Sequence, residues 1–520
     1  MIGDIDAIED RLDCDVCIVG SGVIGLALMR EFEGSGLSVV VLESGGEARE
    51  EAIDDSQASI VHGSHFHGAT EGRARQLGGT SNIWGGQALP MDAIDFTRRD
   101  WVPDSGWPIA LDVLDPFYHR AARFLDIDDR DFDRDVFTRF GIERPSWLPS
   151  SALRFHVSKW APVPRLIDLY RRDIERSSVI RLVLHANLTD IALSTTGDHV
   201  EWVTARNLEG RRIDVHARRF VLATGAIETA RTLLAASRRN GRPIGDGHAL
   251  IGRYLMDHPS GAIGELRPAD EAQAQRLFNL FYIGRRKYSA RLSLAESAQR
   301  DERLLNISCG FNFSAPPNGA IEVLRRGLAA MRARSPRRMA ESGLQAVAAL
   351  PSMAQWAWQR AVRHRAVYPG ASINLVVNCE QAPSPDNRVA LSAESDAFGI
   401  PRSDISWVPG AAAEAAARRF AHLLRQCFAD GRAGEVILMP WINDPSEPTT
   451  LQDAFHPMGT TRMSDSSRTG VVNSECRMFG VSNLWVAGTA PFPTAGHSNP
   501  TFTAIALAIR LADHLKTRKD

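Results

Sequence analysis

The stretch Cys14-Asp-Val-Cys-Ile-Val-Gly20, continued by Ser-Gly22-Val-Ile-Gly25, decides the fold of this chain. It is an apolar, strand-like run that breaks into a glycine cluster and continues as a helical pattern as far as Glu33. A second apolar run then ends at Glu43. A strand, a G-x-G-x-x-G turn, a helix and a second strand in this order predict a dinucleotide-binding unit.

The glycines and the terminal acid of this unit have separate tasks. Gly20 allows the tight turn, Gly22 lets the backbone approach a pyrophosphate, and Gly25 lets the helix pack closely on the strand. The N-terminus of the helix, which is predicted over Leu26 to Glu33, offers unpaired N–H groups and a positive dipole end to the phosphates. Glu43 is placed to accept hydrogen bonds from the hydroxyls of an adenosine ribose, and its carboxylate argues against NADP.

Composition excludes several function classes. The chain has 520 residues, of which 44% are hydrophobic and 23% charged, with a net charge of −2, so it lacks the overall basicity of a nucleic-acid-binding protein. No apolar run is long enough to span a membrane, and the acidic start, Met1 to Arg11, has no export signal. We therefore expect a cytoplasmic enzyme with two to three domain-sized units.

Cys14 and Cys17 have the C-x-x-C spacing of a redox or zinc motif, but both lie inside the first predicted strand. Residues three apart on a strand face opposite sides, so both thiols are interpreted as packing residues. No metal site is predicted.

A second glycine cluster follows in Leu77-Gly78-Gly79-Thr-Ser-Asn82-Ile-Trp84-Gly85-Gly. Glycines at this density let the backbone pass close to a flat surface or adopt positive φ. A glycine-rich surface loop is the alternative, but Asn82 and Trp84 are unusual residues for an exposed tip. We favour a loop that lies against a large planar cofactor.

Later segments return the chain to the nucleotide sheet. Residues 183–193, which include Leu188, and residues 200–207, 211–216 and 220–225 are predicted strands. The last of these ends in the turn Ala223-Thr224-Gly225 and opens a helix at residues 226–234. The turn is predicted to reach the pyrophosphate, and a plain strand-to-helix turn is the alternative.

The C-terminal segment repeats the strand, glycine and helix order. A short strand ends at Gly488, a loop leads to Asn499-Pro500-Thr501, and residues 502–515 have the broad apolar face of a buried helix. Asn499 or Thr501 is a candidate helix cap, and Pro500 suits the first turn. Upstream, His456 lies in the turn-forming sequence Phe-His-Pro-Met-Gly.

Taken together, these motifs resemble the GMC (glucose–methanol–choline) flavin oxidoreductases over nearly the full length. The matching pieces include Gly20 to Glu43, Gly78-Gly79, Ala223 to Gly225, Glu380 to Val389, and His456 with Asn499 to Thr501. The sequences Trp107-Pro-Ile, Leu114-Asp-Pro-Phe-Tyr118 and Asp257-His-Pro259 are similar to those of the pyranose-oxidase and sugar- or polyol-dehydrogenase branch.

The resemblance implies an α/β fold, α+β overall, with a Rossmann-type FAD-binding domain and a substrate domain built on a mainly antiparallel sheet with helices. His456 matches the catalytic histidine of the family, and Asn499 matches its partner. Imidazole suits the removal of an alcohol proton near neutrality, while the flavin performs the redox step. The predicted cofactor-binding residues are Gly20, Gly22, Ile24, Gly25, Glu43, Gly78, Gly79, Asn82, Trp84, Gly85, Leu188, Ala223, Thr224, Gly225, Gly488, Pro500 and Thr501.

The chain departs from the branch at two points. Pyranose oxidases carry a flavin-linking histidine in the second glycine segment, where this chain has Ile83. The histidines at 62, 65 and 67 lie outside that motif, so non-covalent FAD is expected. His497 is the second departure, and lining the substrate site and packing remain equal alternatives for it.

The expected FAD-binding domain is discontinuous, with segments 10–100, 180–260 and 450–515, and the substrate domain takes 101–179 and 261–449. Residues 368–379 and 387–391 are candidate strands of its sheet. An arginine-rich helical insertion is predicted at about 321–365, either packed on the substrate domain or in contact with anionic lipid or a protein electron acceptor.

The favoured function is oxidation of an alcohol group on a sugar, polyol or sugar-bearing natural product. Oxygen, a quinone or a redox protein is the expected electron acceptor. The alternatives are an NAD-dependent dehydrogenase and a flavin-binding protein of the same fold with lyase-like chemistry.

Overall fold

The computed structural model describes residues 1–64, 66–69, 71–129, 131–245, 248–316 and 364–518, with a few isolated positions between 317 and 363. In these residues, no helix is both long and apolar enough to cross a membrane. The predicted helical insertion at 321–365 lies almost wholly outside the described residues, so its proposed contacts stay a prediction.

The described strands, in chain order, are β1 (Ile2–Asp4), β2 (Arg11–Val19), β3 (Val39–Leu42), β4 (Ser59–Gly63), β5 (Gln87–Ala88), β6 (Leu153–Trp160), β7 (Ile180–Leu184), β8 (Asn187–Leu193), β9 (Val200–Arg206), β10 (Arg212–Leu222), β11 (Ser260–Pro268), β12 (Phe281–Ile283), β13 (Arg286–Leu294), β14 (Ile307–Ser314), β15 (Ser372–Cys379), β16 (Arg388–Ser395), β17 (Pro401–Trp407), β18 (Gly434–Leu438) and β19 (Leu484–Val486).

The described α-helices are α1 (Val23–Phe32), α2 (Glu51–Asp55), α3 (Ala93–Phe96), α4 (Asp115–Phe124), α5 (Arg134–Arg139), α6 (Ile167–Arg176), α7 (Ala226–Arg239), α8 (Glu271–Phe278), α9 (Glu296–Glu302), α10 (Ala411–Asp430), α11 (Pro440–Asn443) and α12 (Pro500–Thr517).

The first sheet is the predicted nucleotide sheet. Its order is β1-β7-β3-β2-β10-β9-β8, and β19 pairs with β10 outside this path. Strands β1, β7, β3, β2 and β10 pair in parallel with their neighbours, and β19 pairs in parallel with β10. Strands β9 and β8 extend the sheet beyond β10 as antiparallel strands. The end of β2, Val16 to Val19, and the whole of β3 are buried on both faces and are continuous apolar runs, as is usual for parallel strands. The predicted α/β class with a Rossmann-type domain is confirmed.

Two strand predictions in this sheet were wrong in detail. The run 183–193 is two strands, because the backbone turns at His185, which has a φ of +54° and whose ring bonds Asp4 and Glu50. Conversely, 211–216 and 220–225 are joined in one strand, β10, that pairs with β2 along most of its length.

The cysteines of β2 are packing groups. Cys17 is fully buried, and Cys14 is partly buried. Burial raises the pKa of the Cys14 thiol to about 12 and that of Cys17 well above its ordinary value, so neither is poised for thiolate chemistry.

The second sheet is antiparallel, in the order β18-β11-β15-β14-β13-β6-β5, with β12 on β13. One face carries an apolar core, with members such as Phe155, Leu292, Cys309 and Leu375. Helix α10 buries its apolar side in the same core, at Phe420, Leu424 and other positions. The predicted strand within 368–379 is found here as β15.

A third sheet has the order β16-β17-β4 and was not predicted as a separate unit. The expected strand at 387–391 forms, as β16, but it pairs with β17 and not with the antiparallel sheet. Val389 and Trp407 of this small sheet pack against Ile227 and Ala230 of α7. Residues 388–407 thus contact the nucleotide side, although the prediction assigned 261–449 to the substrate domain. The domain boundaries themselves stay a prediction.

A buried arginine joins α7 to the small sheet. The Arg231 side chain is 1% exposed, and its Nη2 donates to Asp396 Oδ2 (2.5 Å) and to the Ile400 carbonyl (3.1 Å). Its Nε donates to the Pro401 carbonyl at 2.7 Å. Removing one partner of such a pair leaves the other charge buried and unpaired. The resulting loss of folding free energy is larger than the net contribution of the intact pair.

We therefore expect Arg231→Ala to lower the free energy of unfolding by about 3–5 kcal/mol. Urea denaturation followed by circular dichroism measures the change. Arg238→Ala, at an exposed position of the same helix, is the control and should change stability by less than about 0.5 kcal/mol. Adding Asp396→Asn to Arg231→Ala should recover part of the loss. Equal urea midpoints for Arg231→Ala and the wild type would contradict this account.

Candidate functional site

A cavity of about 560 Å³ opens beside the carboxyl ends of the parallel strands. Gly20 and Gly22 from the β2–α1 turn line one side, and Gly79 from the second glycine cluster lies against them. A Cβ on Gly79 would lie 2.7 Å from the Cα of Gly22, and one on Gly20 would lie 2.7 Å from the Ala223 carbonyl oxygen. Three chain segments thus meet at a distance that only glycine permits.

Most of the predicted cofactor residues line this cavity. They are Gly20, Gly22, Ile24, Glu43, Gly79, Trp84, Gly85, Leu188, Ala223, Thr224, Gly225, Gly488, Pro500 and Thr501. Turns that are far apart in the sequence therefore meet at one cavity, and their role in cofactor binding stays a prediction.

Gly25, Gly78 and Asn82 are not among the lining residues and support the cavity from behind. A Cβ on Gly25 would lie 2.0 Å from the Gly20 carbonyl oxygen, so this glycine allows helix and strand to pack. Gly78 has a φ of +87° and lies against Ile167. The Asn82 amide donates to the carbonyls of Leu77 (3.0 Å) and Gly79 (2.8 Å) and so braces the loop.

Glu43 lines the cavity and also holds the glycine turn. Its Oε2 accepts hydrogen bonds from the Ser21 backbone (2.9 Å) and hydroxyl (2.6 Å), and its Oε1 accepts one from Gly45 N–H at 3.1 Å. Burial raises the pKa of Glu43, although these hydrogen bonds act in the opposite direction. Each carboxylate oxygen has two lone pairs, so the predicted ribose contact is compatible with these bonds.

The sequence analysis missed a charged group on the same cavity wall. Arg75 Nη1 donates to Asn187 Oδ1 at 2.6 Å, and its Nη2 lies 2.8 Å from Glu228 Oε1. Burial acts to raise the pKa of Glu228, but Arg75, Arg231 and Arg73 outweigh it and lower the value to about 2. These residues come from a loop, a strand and a helix, so no local motif could have joined them.

At the other end of the cavity, one buried carboxyl positions His456. Asp257 Oδ2 accepts the His456 N–H at 2.8 Å, and its Oδ1 accepts the N–H groups of Ala454 (2.9 Å) and His258 (2.7 Å). Burial and the neighbouring Asp453 raise the pKa of Asp257 well above its ordinary value. Two loops far apart in the chain are thus fixed to each other.

The rings of His258 and His456 form a hydrogen-bonded pair. His258 Nδ1 lies 2.9 Å from His456 Nδ1, and His258 Nε2 lies 3.3 Å from the carbonyl oxygen of Ala495. A carbonyl only accepts, so His258 carries its proton on Nε2 when neutral, and its Nδ1 accepts from His456. His456 then has its proton on Nδ1, and its Nε2 accepts a hydrogen bond from the Asn499 amide nitrogen at 3.3 Å.

Both rings are held neutral. Burial lowers the pKa of His258 to about 4. Burial, then the nearby His258 and Arg291, lowers the pKa of His456 well below its ordinary value. A histidine with a lowered pKa keeps its unprotonated, basic form to lower pH than an ordinary one, so Nε2 of His456 stays available as a proton acceptor.

Asn499 is at the N-cap position of α12, and Pro500 is in its first turn, as predicted. Its side chain makes no capping hydrogen bond and is turned to His456 instead, so Asn499 is a cap by position only. Thr501 lies inside the helix.

His497 is 1% exposed, does not line the cavity, and places its Nε2 3.2 Å from Asp92 Oδ2. It belongs to a buried polar cluster beside the His258–His456 pair.

The cavity fits a dinucleotide. It has the glycine turns that a pyrophosphate needs, the N-termini of α1, α7 and α12, and the Glu43 carboxyl directly after β3, where a ribose contact is expected. Ile83, where relatives of the predicted branch have a linking histidine, is 44% exposed and lines the cavity.

Comparisons with known proteins match the chain to flavin-dependent oxidoreductases. The family model described as "FAD dependent oxidoreductase" matches residues 15–244, and the model described as "GMC oxidoreductase" matches residues 383–508. The first range holds the glycine turns, and the second holds His456 and Asn499.

Two curated relatives align along nearly the whole chain. The fructose dehydrogenase large subunit of Gluconobacter japonicus is 26% identical over 97% of this chain and 98% of its own length. Paromamine 6'-oxidase of Streptomyces fradiae is 24% identical over 98% of this chain and 92% of its own length.

Solved structures share the fold at low sequence identity. A formate oxidase has a TM-score of 0.59 at 17% identity and covers 98% of this chain and 99% of its own. Pyridoxine 4-oxidase from Mesorbium loti has a TM-score of 0.58 at 14% identity and covers 98% of this chain and 100% of its own.

Gly22 and Gly25 give a matched pair of tests for the cavity. A Cβ on Gly22 would meet nothing closer than 3.9 Å in the protein, so Gly22→Ala should fold normally yet fill the space that a pyrophosphate needs. Gly25→Ala would clash with the Gly20 carbonyl and should lower the free energy of unfolding by about 1–3 kcal/mol.

The measurements are the FAD content of the purified variants and the thermal midpoint of their flavin-free forms. We expect Gly22→Ala to lose most of its FAD with an unchanged midpoint, and Gly25→Ala to lower the midpoint. Full FAD occupancy in Gly22→Ala would refute the assignment of the cavity.

Proposed function

The chain is an FAD-dependent oxidoreductase of the GMC family, and on that premise we propose that it oxidises an alcohol of a small polar molecule to a carbonyl with His456 as the base. The observation that carries the role of His456 is the direction of its hydrogen bonds. Ala495, His258 and His456 are satisfied by one arrangement of protons, and that arrangement leaves Nε2 of His456, a residue that lines the cavity, as a hydrogen-bond acceptor.

In the proposed reaction, the alcohol O–H proton passes to His456 Nε2 as the carbon–oxygen double bond forms. FAD, when bound, supplies the acceptor for the carbon-bound hydrogen and its electron pair. Asn499 donates from its amide, so it can hold the substrate oxygen beside Nε2 without competing for the proton. Asp257 acts through the backbone and fixes the loop that carries His456.

Several relatives act on sugars or sugar derivatives by their names, among them the fructose dehydrogenase and the paromamine oxidase. We therefore infer a sugar- or polyol-like substrate. The match to an FAD-dependent family disfavours the nicotinamide alternative.

Non-covalent FAD is retained as a proposal. Among the described residues that line the cavity, His456 is the one histidine and no cysteine is present, so no candidate for a covalent link lies beside Ile83. If FAD is bound without a covalent link, acid denaturation should release all of it into the supernatant.

The electron acceptor is proposed from three classes: oxygen, a quinone or a redox protein. Mixing anaerobically reduced enzyme with each class separates them, because reoxidation is read directly from the flavin absorbance.

His456→Ala should keep FAD but slow anaerobic flavin reduction by roughly a hundredfold or more, the usual size of a general-base contribution. Asn499→Ala removes one orienting hydrogen bond and leaves the base, so we expect a loss of roughly tenfold. Stopped-flow absorbance with excess alcohol measures the step, and turnover is unsuitable because product release masks chemistry. A wild-type rate in His456→Ala would remove it as the base.

His258 is a positioning residue, and its substitutions separate tautomer control from packing. His258→Leu removes the acceptor for the His456 Nδ1 proton, so His456 should populate the wrong tautomer and flavin reduction should slow by roughly tenfold or more. His258→Asn can accept through its oxygen and donate to Ala495, so it should recover much of the rate.

Nitrogen NMR of ¹⁵N-histidine-labelled enzyme reads the tautomer independently of activity. We expect an unprotonated Nε2 in the wild type and in His258→Asn, and a mixture in His258→Leu. A proton on Nε2 of His456 in the wild type would contradict the arrangement.

A further inference from the structure

The antiparallel sheet has two faces of opposite character. Along β13, Tyr288, Ala290, Leu292 and Leu294 enter the apolar core, while Ser289, Arg291 and Ser293 alternate with them on the other face. The neighbouring strands follow the same rule, with His156 and Ser158 on β6 and Ser308 and Gly310 on β14. Polar faces of antiparallel sheets normally meet water, but this one is buried.

Arg291 is the unusual residue of this face. It is 7% exposed, and its Nε (3.2 Å) and Nη2 (2.9 Å) both donate to the single Ser308 hydroxyl. No carboxylate of the described residues lies within ion-pair distance of it, and burial lowers the pKa of its guanidinium to about 10. Arginine remains charged even so, and an unpaired buried charge is costly.

The other buried charges nearby are already paired. Arg99 forms a two-point hydrogen bond with Glu380 (2.8 and 2.5 Å), and Asp92 is occupied by Arg154 and His497. Burial, with Glu380 and Asp92, raises the pKa of Asp95 well above its ordinary value, which favours its neutral form. One positive charge, that of Arg291, is left over.

Polar atoms around Arg291 also lack partners. His156 is fully buried, and neither of its ring nitrogens has a hydrogen-bond partner among the described residues, nor does the hydroxyl of Ser293. His156 is directly opposite Arg291 in the β6–β13 ladder, and Gly310 is opposite it on β14. Buried polar atoms without partners are rare unless a ligand or water satisfies them.

This group lies beside the proposed catalytic residues. The ring of His156, opposite Arg291, lies 5.7 Å from the ring of His497, and the carbonyl of Ala495, two residues before His497, is 3.3 Å from His258 Nε2. In agreement with this geometry, the charge of Arg291 contributes to the lowered pKa values of His456, His258 and His156. A substrate held by Nε2 of His456 is therefore close to an unpaired positive charge.

We propose that Arg291, with His156 and Ser293, binds a carboxylate of the substrate, so that the enzyme oxidises hydroxy acids such as sugar acids. This inference rests on the proposed function and adds the charge of the substrate to it. A guanidinium matches a carboxylate in shape and offers two parallel donors. A single positive charge balances one carboxylate, whereas a phosphate dianion would leave negative charge buried. The same charge disfavours amine-bearing substrates.

The first experiment compares matched alcohols on the FAD-loaded enzyme. D-Gluconate and D-glucitol have equal chain lengths and differ in one terminal carboxylate. We expect gluconate to give the lower apparent dissociation constant in anaerobic flavin reduction, by roughly 10- to 100-fold. Propionate, which has no alcohol, should perturb the flavin absorbance without reducing it. Tighter binding of inorganic phosphate than of propionate would overturn the carboxylate assignment.

Substitutions of Arg291 test whether this residue binds the carboxylate. Arg291→Gln should weaken gluconate and propionate binding by roughly 10- to 100-fold and leave glucitol within about threefold. Ser289→Ala, two residues away on the same face, is the control for local packing and should change none of these values. Equal propionate affinity in Arg291→Gln and wild type would overturn the proposal.

Gly310 provides a second test that keeps the arginine. A Cβ there would lie 3.5 Å from Arg291 Nη1, in ordinary contact, so Gly310→Asp brings a carboxylate to the guanidinium from within the chain. It should abolish propionate binding, whereas the isosteric Gly310→Asn should retain more of it. Full propionate binding in a folded, flavin-loaded Gly310→Asp would count against the site.

The outcomes separate the two proposals. If no alcohol reduces the flavin but propionate binds only when Arg291 is present, the carboxylate site stands and the proposed function fails. If glucitol and gluconate reduce the flavin equally and propionate does not bind, the proposed function stands and the carboxylate site is refuted.

Discussion

The geometry of the candidate site depends on the hydrogen bonds that the Asp257 carboxyl accepts. This carboxyl accepts backbone N–H groups from its own loop, at His258, and from the distant loop that carries Ala454 and His456. Backbone N–H groups that lose such an acceptor in a buried place are strongly destabilising. Because both histidine loops share one acceptor, the two rings face each other at a fixed separation, and the tautomer of one determines that of the other.

The interior between the two large sheets is polar, and its charges are nearly all matched. Arg99 and Glu380 are both fully buried and join the segment before α4 to the end of β15, where Glu380 also accepts the Asn306 N–H. Buried pairs of this kind contribute little net stability, but breaking one leaves an isolated charge. The Arg99–Glu380 pair therefore favours one placement of the segments that it joins, and a charge left unpaired nearby, such as that of Arg291, is more informative about a ligand than the pairs around it.

The features that could be predicted from the sequence are those that depend on neighbouring residues along the chain. The turns at Gly20, Ala223 and Gly488 each follow an apolar run, a helix follows the first two directly and the third after a loop, and all three line the cavity. Contacts between distant segments could not be predicted in this way. The hydroxyls of Ser59 and Ser403, which join β4 and β17, are 344 positions apart, and nothing in either segment specifies that pairing. The alternation along β13 is visible in the sequence, but an alternating strand normally turns its polar face to water, so the burial of Arg291 was not predictable.

The lowered pKa of His456 has two opposite effects on its proposed role as the base. It keeps the ring neutral, but a weaker base accepts a proton from an alcohol less readily. Part of the lowering comes from Arg291, since a positive charge disfavours a second one nearby. A carboxylate paired with Arg291, as proposed, would oppose that field and would therefore raise the pKa of His456. The base would then be strongest when a carboxylate substrate is in place, because substrate recognition and base strength depend on the same guanidinium.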